Sequence, residues 1–152
     1  MEDEMSIQEK RTLWSFISTT IGFIGYYYYV YQLYLDQSLN TIEEMKFWSA
    51  AILIFIPVQI VVKIIVFILV VVFSAGKSGE FEECFSDELD KLVESKASRI
   101  FSHIFLFGFL IALGSLLMNM SVFVMFTIIF FSMGVGGMIM DIAQFIYYRR
   151  GF

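Results

Sequence analysis

At 152 residues, 59% hydrophobic and only 16% charged, with 18 Phe, 8 Tyr and 9 Met, the chain lies far from the balance of a soluble domain. Its net charge of -5 argues against a nucleic-acid surface. The single cysteine, Cys84, excludes an internal disulfide and a cysteine cluster for zinc or iron.

Four apolar runs account for the composition, at 13–35, 47–73, 100–118 and 122–148. Each reaches the roughly 20 residues with which a helix crosses about 30 Å of hydrocarbon. Four in succession would leave a soluble domain too little polar surface. The expectation is an all-α chain, a single domain over 1–152, folded as an integral membrane antiparallel four-helix transmembrane bundle in contact with the lipid bilayer.

Lys10 and Arg11 precede the first run like the start of a secretory signal, but the run ends in Tyr26-Tyr27-Tyr28-Tyr29-Val30-Tyr31, without small residues for a peptidase to cut. It therefore reads as a retained span. The tyrosines lie about 22 Å or more from Arg11 at helical rise. They suit an aromatic belt, or alternatively a stacking surface for an apolar or cationic ligand. Ser15, Ser18, Gly22 and Gly25 follow a 3-4-3 rhythm that lets helix backbones approach closely.

Thr41 and Glu44 form a Thr-x-x-Glu capping pattern ahead of the second run, and Trp48 stands where an interfacial aromatic is expected. Pro57 offers a kink. Deeper in the run, Lys63 interrupts "QIVVKIIVFILV", about 15 Å in from Phe73. A charge there costs several kcal/mol and marks a functional-site hypothesis.

The next connector begins with Ser74 to Gly79, read as a flexible exit. Ala75-Gly76-Lys77-Ser78 fails as a phosphate loop, because Val71 replaces the required glycine and no strand precedes it. An acidic helical connector is expected at 80–99, with Phe85, Leu89, Leu92 and Val93 at helical spacing, Ser86 as its cap and Asp87 paired with Lys91. It should run unbroken into the third span. Glu80, Glu82, Glu83, Asp87, Glu88, Asp90 and Glu94 make it either a solvated connector or a docking site for a cytosolic or membrane protein partner.

Gly108, Ala112 and Ser115 line up along the third run as a packing stripe. Such stripes serve a bundle within one chain or a homo-oligomer alike. Met118-Asn119-Met120-Ser121 is so short that the last two helices must be antiparallel neighbours. In the fourth run Gly134, Gly137, Asp141, Gln144 and Tyr148 recur at 3-4-3-4 and share one small, polar face that should point inward.

Asp141 lies about 12 Å in from Arg149, a depth matching that of Lys63. The leading expectation is an ion pair between them, with Gln59 and Gln144 filling remaining hydrogen bonds and His103 joining from the third run. The alternatives are that Lys63 snorkels to the cytosolic interface, or that both charges face a wet cavity. One histidine, and no His-Glu-x-x-His or Gly-x-Ser-x-Gly pattern, leave no conventional zinc or Ser-His-Asp site. No cofactor, catalytic residue or metal ligand is expected.

Eight lysines and arginines fall beside the termini and the 74–99 connector, against Lys46 alone on the other side. The positive-inside bias then puts both termini in the cytoplasm. Finally, Ser86-Asp87-Glu88-Leu89-Asp90-Lys91-Leu92-Val93-Glu94-Ser95-Lys96-Ala97, followed by two apolar runs and a Tyr147-Tyr148-Arg149-Arg150-Gly151 end, resembles a group of uncharacterised small bacterial membrane proteins. In that group an acidic D-E-R-D-like run precedes the last hairpin; here Leu89 stands where arginine is usual. The resemblance covers about the C-terminal half of the chain. It implies four spans in the bacterial inner membrane and brings no catalytic residues.

These readings lead to a non-enzymatic regulatory or protective membrane protein that acts through a partner. The alternative is a small-solute transporter or channel lined by Lys63, Asp141 and Gln144. It lacks the inverted repeat and broken helices usual for such proteins.

Overall fold

The computed structural model describes residues 5–78 and 88–150, and these form four helices with short turns between them. Helix α1 spans Ile7–Leu35, α2 Thr41–Ser78, α3 Glu88–Leu117 and α4 Val122–Arg150. Three of them, over Thr41–Ser74, Glu88–Leu117 and Val122–Arg150, are long and apolar enough to cross a membrane. They mark the chain as a membrane protein. Helix α1 has the length, but its serines, threonines and six tyrosines leave it outside that group.

Local chemistry sets the helix ends. Ser6 and Glu9 form a reciprocal capping box at α1, Glu9 N donating to Ser6 Oγ (3.2 Å) and Ser6 N to a Glu9 carboxylate oxygen (2.9 Å). At α2 the box lies one residue earlier than the sequence pattern predicted. Asn40 Oδ1 accepts from the backbone of Ile42 and Glu43, and Asn40 N donates to the Glu43 carboxylate (3.1 Å). Glu44, freed from capping, accepts from the Tyr34 hydroxyl at 2.6 Å and so ties the end of α1 to the start of α2. Asn40→Ala is expected to cost about 1 kcal/mol in equilibrium unfolding, whereas Thr41→Ala should cost only a few tenths.

Helix α2 does not end at the expected flexible exit but continues through Ser78. Helix α3 runs without a break from Glu88, as expected of a connector that becomes a span. Its inward face, however, is Asp90, Val93 and Ala97, while Leu89 and Leu92 are exposed. The anticipated Phe85, Ser86 and Asp87 features, like Cys84, lie outside the described residues. At the α3–α4 turn Asn119 adopts φ 58°, and Met120 N reaches back to Ser115 O at 3.0 Å. This is a left-handed helix stop, a conformation that costs most L residues about 1–2 kcal/mol. Asn119→Gly should therefore leave thermal stability unchanged or raised, and Asn119→Val should lower it by about that amount.

Helix α4 is the common partner. It packs along α3, along α1 and, less extensively, along α2, and α1 also packs on α2. The order of contacts reverses between α1 and α4, from Tyr34 on Phe123 through Phe23 on Phe130 to Arg11 on Tyr148. In consequence the 36–40 and 118–121 turns share one end, the turn end, and the described termini share the other, the terminal end.

Aromatic rings fill the turn end and the middle. Trp48, with no exposed surface, sits among Tyr27, Tyr34, Phe47 and Phe123 rather than facing an interface as expected. Phe23, Phe55 and Phe130 form a second cluster below it. The tyrosine cluster divides: Tyr26, Tyr27 and Tyr34 pack inward, while Tyr28 and Tyr29 are exposed. In lipid, helices associate through van der Waals fit rather than through a hydrophobic force between them. Here glycine provides that fit. A Cβ at Gly134 would overlap the Phe23 ring, and one at Gly108 would overlap the Ser132 side chain. The Gly108, Ala112 and Ser115 stripe is buried, as its spacing suggested.

Candidate functional site: a charged cavity at the terminal end

Lys63 and Asp141 meet. Lys63 Nζ lies 2.9 Å from Asp141 Oδ1, joining α2 to α4. The Asp141 carboxylate is held further by two hydroxyls of α1, Ser15 Oγ donating to Oδ1 (3.2 Å) and Thr19 Oγ1 to Oδ2 (2.9 Å). With 1% of its side chain exposed, Asp141 depends on these three donors. The Lys63 side chain keeps 37% exposure. The asymmetry matters, because a buried charge is costly to leave unpaired and a half-open one is not.

The local sequence explains why Asp141 faces α1. Gly137 and Gly134, four and seven residues before it, bring the two backbones close, and a Cβ on Gly137 would lie 3.6 Å from the Thr19 methyl. The small, polar face of α4 thus points inward. Ser15 and Thr19 were missed as partners. Ser15 belonged to a stripe read only as packing, and nothing in the spacing separates a packing hydroxyl from a hydrogen-bonding one.

The other expected members stay apart from the pair. Gln59 packs against Gly22, and both polar atoms of its amide are buried with no hydrogen-bond partner. Gln144 lines the cavity described next but makes no hydrogen bond to Asp141. His103 is exposed on α3 and shares its Nδ1 with the Arg99 carbonyl. It lies about 140° around the helix from Gly108, at 3.6 residues per turn, and hence away from the face packed on α4.

Closer to the terminal end a second network crosses three helices. Arg11 donates to the Tyr148 hydroxyl (3.3 Å), which donates to Asp90 Oδ1 (2.8 Å), and Arg11 stands 3.9 Å from Asp90 Oδ2. The Arg11 guanidinium also lies 5.6 Å from the centre of the Phe67 ring of α2, within cation–π range. In the sequence Arg11 is an orientation signal and Asp90 part of an acidic run. Both are structural.

Between the two networks lies an open cavity of about 280 Å³, lined from all four helices. Arg11, Ser15, Lys63, Asp90, Glu94, Asp141, Gln144 and Tyr148 supply its polar wall, and Val66, Phe67 and Met140 its apolar one. Farther along the axis the Phe23, Phe55 and Phe130 cluster fills the interior. Among the described residues no three His, Cys, Asp or Glu side chains are grouped to hold a metal ion. The arrangement offers charge of both signs, an amide and a short apolar wall in a small space.

No protein-family model, curated protein or solved structure matches the chain.

Proposed function

We propose that this chain is a four-span, antiparallel integral membrane protein of the bacterial inner membrane, with both termini cytoplasmic, and that its role is regulatory rather than enzymatic. It receives a small ligand in the terminal-end cavity and signals through a protein partner that contacts the acidic 80–99 segment of the sequence. The observation that carries this reading is the cavity itself, partly open, lined from all four helices and bordered along the axis by an aromatic cluster. A pocket that all four helices line, and that two networks of charge cross, couples occupancy to helix packing.

The resemblance of the C-terminal half and the distribution of lysine and arginine support the placement in the inner membrane with the termini inside. Helix α1 counts as the first span because it packs along two of the strongly apolar helices, where its Ser15 and Thr19 hydroxyls meet the Asp141 carboxylate. The second reading, transport of a small solute, is favoured by Lys63, Asp141 and Gln144 lying on one cavity wall. It requires the Phe23, Phe55 and Phe130 plug to part during each cycle.

The deciding experiment is thiol labelling of Gln144→Cys in a Cys84→Ser background, with a membrane-impermeant reagent on intact cells and on inverted vesicles. Labelling only in inverted vesicles agrees with a cytosolic pocket behind a closed plug. Labelling from both sides would replace regulation with transport, and labelling only in intact cells would invert the topology.

A further inference from the structure

The cavity holds more negative charge than its own cations balance. Asp141 is engaged by Lys63 at 2.9 Å, and Asp90 by the Tyr148 hydroxyl at 2.8 Å and by Arg11 at 3.9 Å. The third carboxylate, Glu94, makes no hydrogen bond or ion pair among the described residues, and the half-buried amide of Gln144 makes none either. Among the described lining residues two cations face three carboxylates, a formal charge of about -1 when all are ionised.

That imbalance selects the ligand. An anion would add to the excess and compete with Asp141 and Asp90 for Lys63 and Arg11. A cation removes it and finds two acceptors already free. No three of the described carboxylates are grouped as ligands for a bare metal ion. An organic cation fits, since Val66, Phe67 and Met140 form an apolar wall beside the acceptors. The volume of about 280 Å³ falls just short of drug-sized pockets, which suits a group of a few heavy atoms.

The geometry points to a binding site for a small organic ammonium, with its N–H donors shared between the Glu94 carboxylate and the Gln144 amide oxygen and its alkyl part against Val66, Phe67 and Met140. This rests on the reading of the cavity as a ligand pocket and names what enters it. The same chemistry arrives from two sources, a soluble amine or the headgroup of phosphatidylethanolamine.

The test uses the full chain in nanodiscs of phosphatidylglycerol alone, which supply no ammonium. Thermal unfolding is followed during titration with n-butylammonium and, separately, with butyrate. A third sample replaces part of the lipid with phosphatidylethanolamine. The expected result is a saturable rise in Tm with butylammonium or with phosphatidylethanolamine, and none with butyrate. The first outcome assigns a soluble amine and the second a headgroup.

Glu94→Gln, at an exposed position with no ion pair among the described residues, should leave the unliganded Tm unchanged and weaken binding by about tenfold or more. A rise that persists undiminished in Glu94→Gln, no saturable rise in either arm, or stabilisation by butyrate would overturn the assignment. Both faces of a nanodisc meet the buffer, so failure here counts against the ligand class. It leaves the topology and the regulatory role to the labelling experiment.

Discussion

Lys63→Met is expected to destabilise the protein by about 3 kcal/mol, and Asp141→Leu by distinctly less. The lysine leaves behind a carboxylate with 1% exposure and only two hydroxyl donors. Removing Asp141 instead leaves a lysine that is 37% exposed and free to extend toward the terminal end, while Ser15 and Thr19 can turn to carbonyls of their own helix. The double variant should recover most of the loss, because apolar residues of similar volume replace a buried pair at little cost. Unfolding of all four proteins in the same bicelles measures the coupling directly. Additive losses, or a larger loss at Asp141, would mean that the two charges act independently.

Gly134→Ala should be strongly damaging for a single added methyl group. Its Cβ would enter the space of the Phe23 ring, which is itself packed against Tyr27, Phe55, Phe130 and Phe131. Displacing that ring disturbs three helices at once, and overpacking of this kind costs about 1–3 kcal/mol. Gly25 and Gly114 have nothing within 4 Å of a built Cβ. Alanine at either should raise stability by up to about 1 kcal/mol through helix propensity alone. Thermal unfolding of the three variants side by side separates fit from propensity. Should Gly134→Ala behave like the other two, the close packing of α1 on α4 is not as described.

What the sequence disclosed depended on whether a signal was axial or angular. Depth along a helix is set by residue count, and from depth alone Lys63 and Asp141 could be matched across 78 positions. The short 118–121 turn and the unbroken α3 were legible for the same reason. Direction around a helix is set by neighbours that one sequence does not reveal. Trp48 shows this, since its place near a helix start was right for an interfacial ring, yet its side chain turns into the core. His103 was at a plausible depth on the wrong face. Asn40 and Thr41 differ by one position and both satisfy a capping pattern, Asn40 with Glu43 and Thr41 with Glu44. Only the Tyr34 hydroxyl, by taking Glu44, decides between them. Arg11, Asp90 and Tyr148 come from three helices, and no local pattern links them.

The position of α4 as the shared partner has a temporal side. The ribosome makes this helix after the other three, so Lys63, Ser15 and Thr19 are synthesised before the carboxylate that joins them exists. Until residue 141 emerges, α1 and α2 have each other but lack the helix that binds both, and α3 has only slight contact with either. A nascent chain arrested before that point carries a lysine within an otherwise apolar segment and lacks the α4 carboxylate that pairs with it in the folded protein.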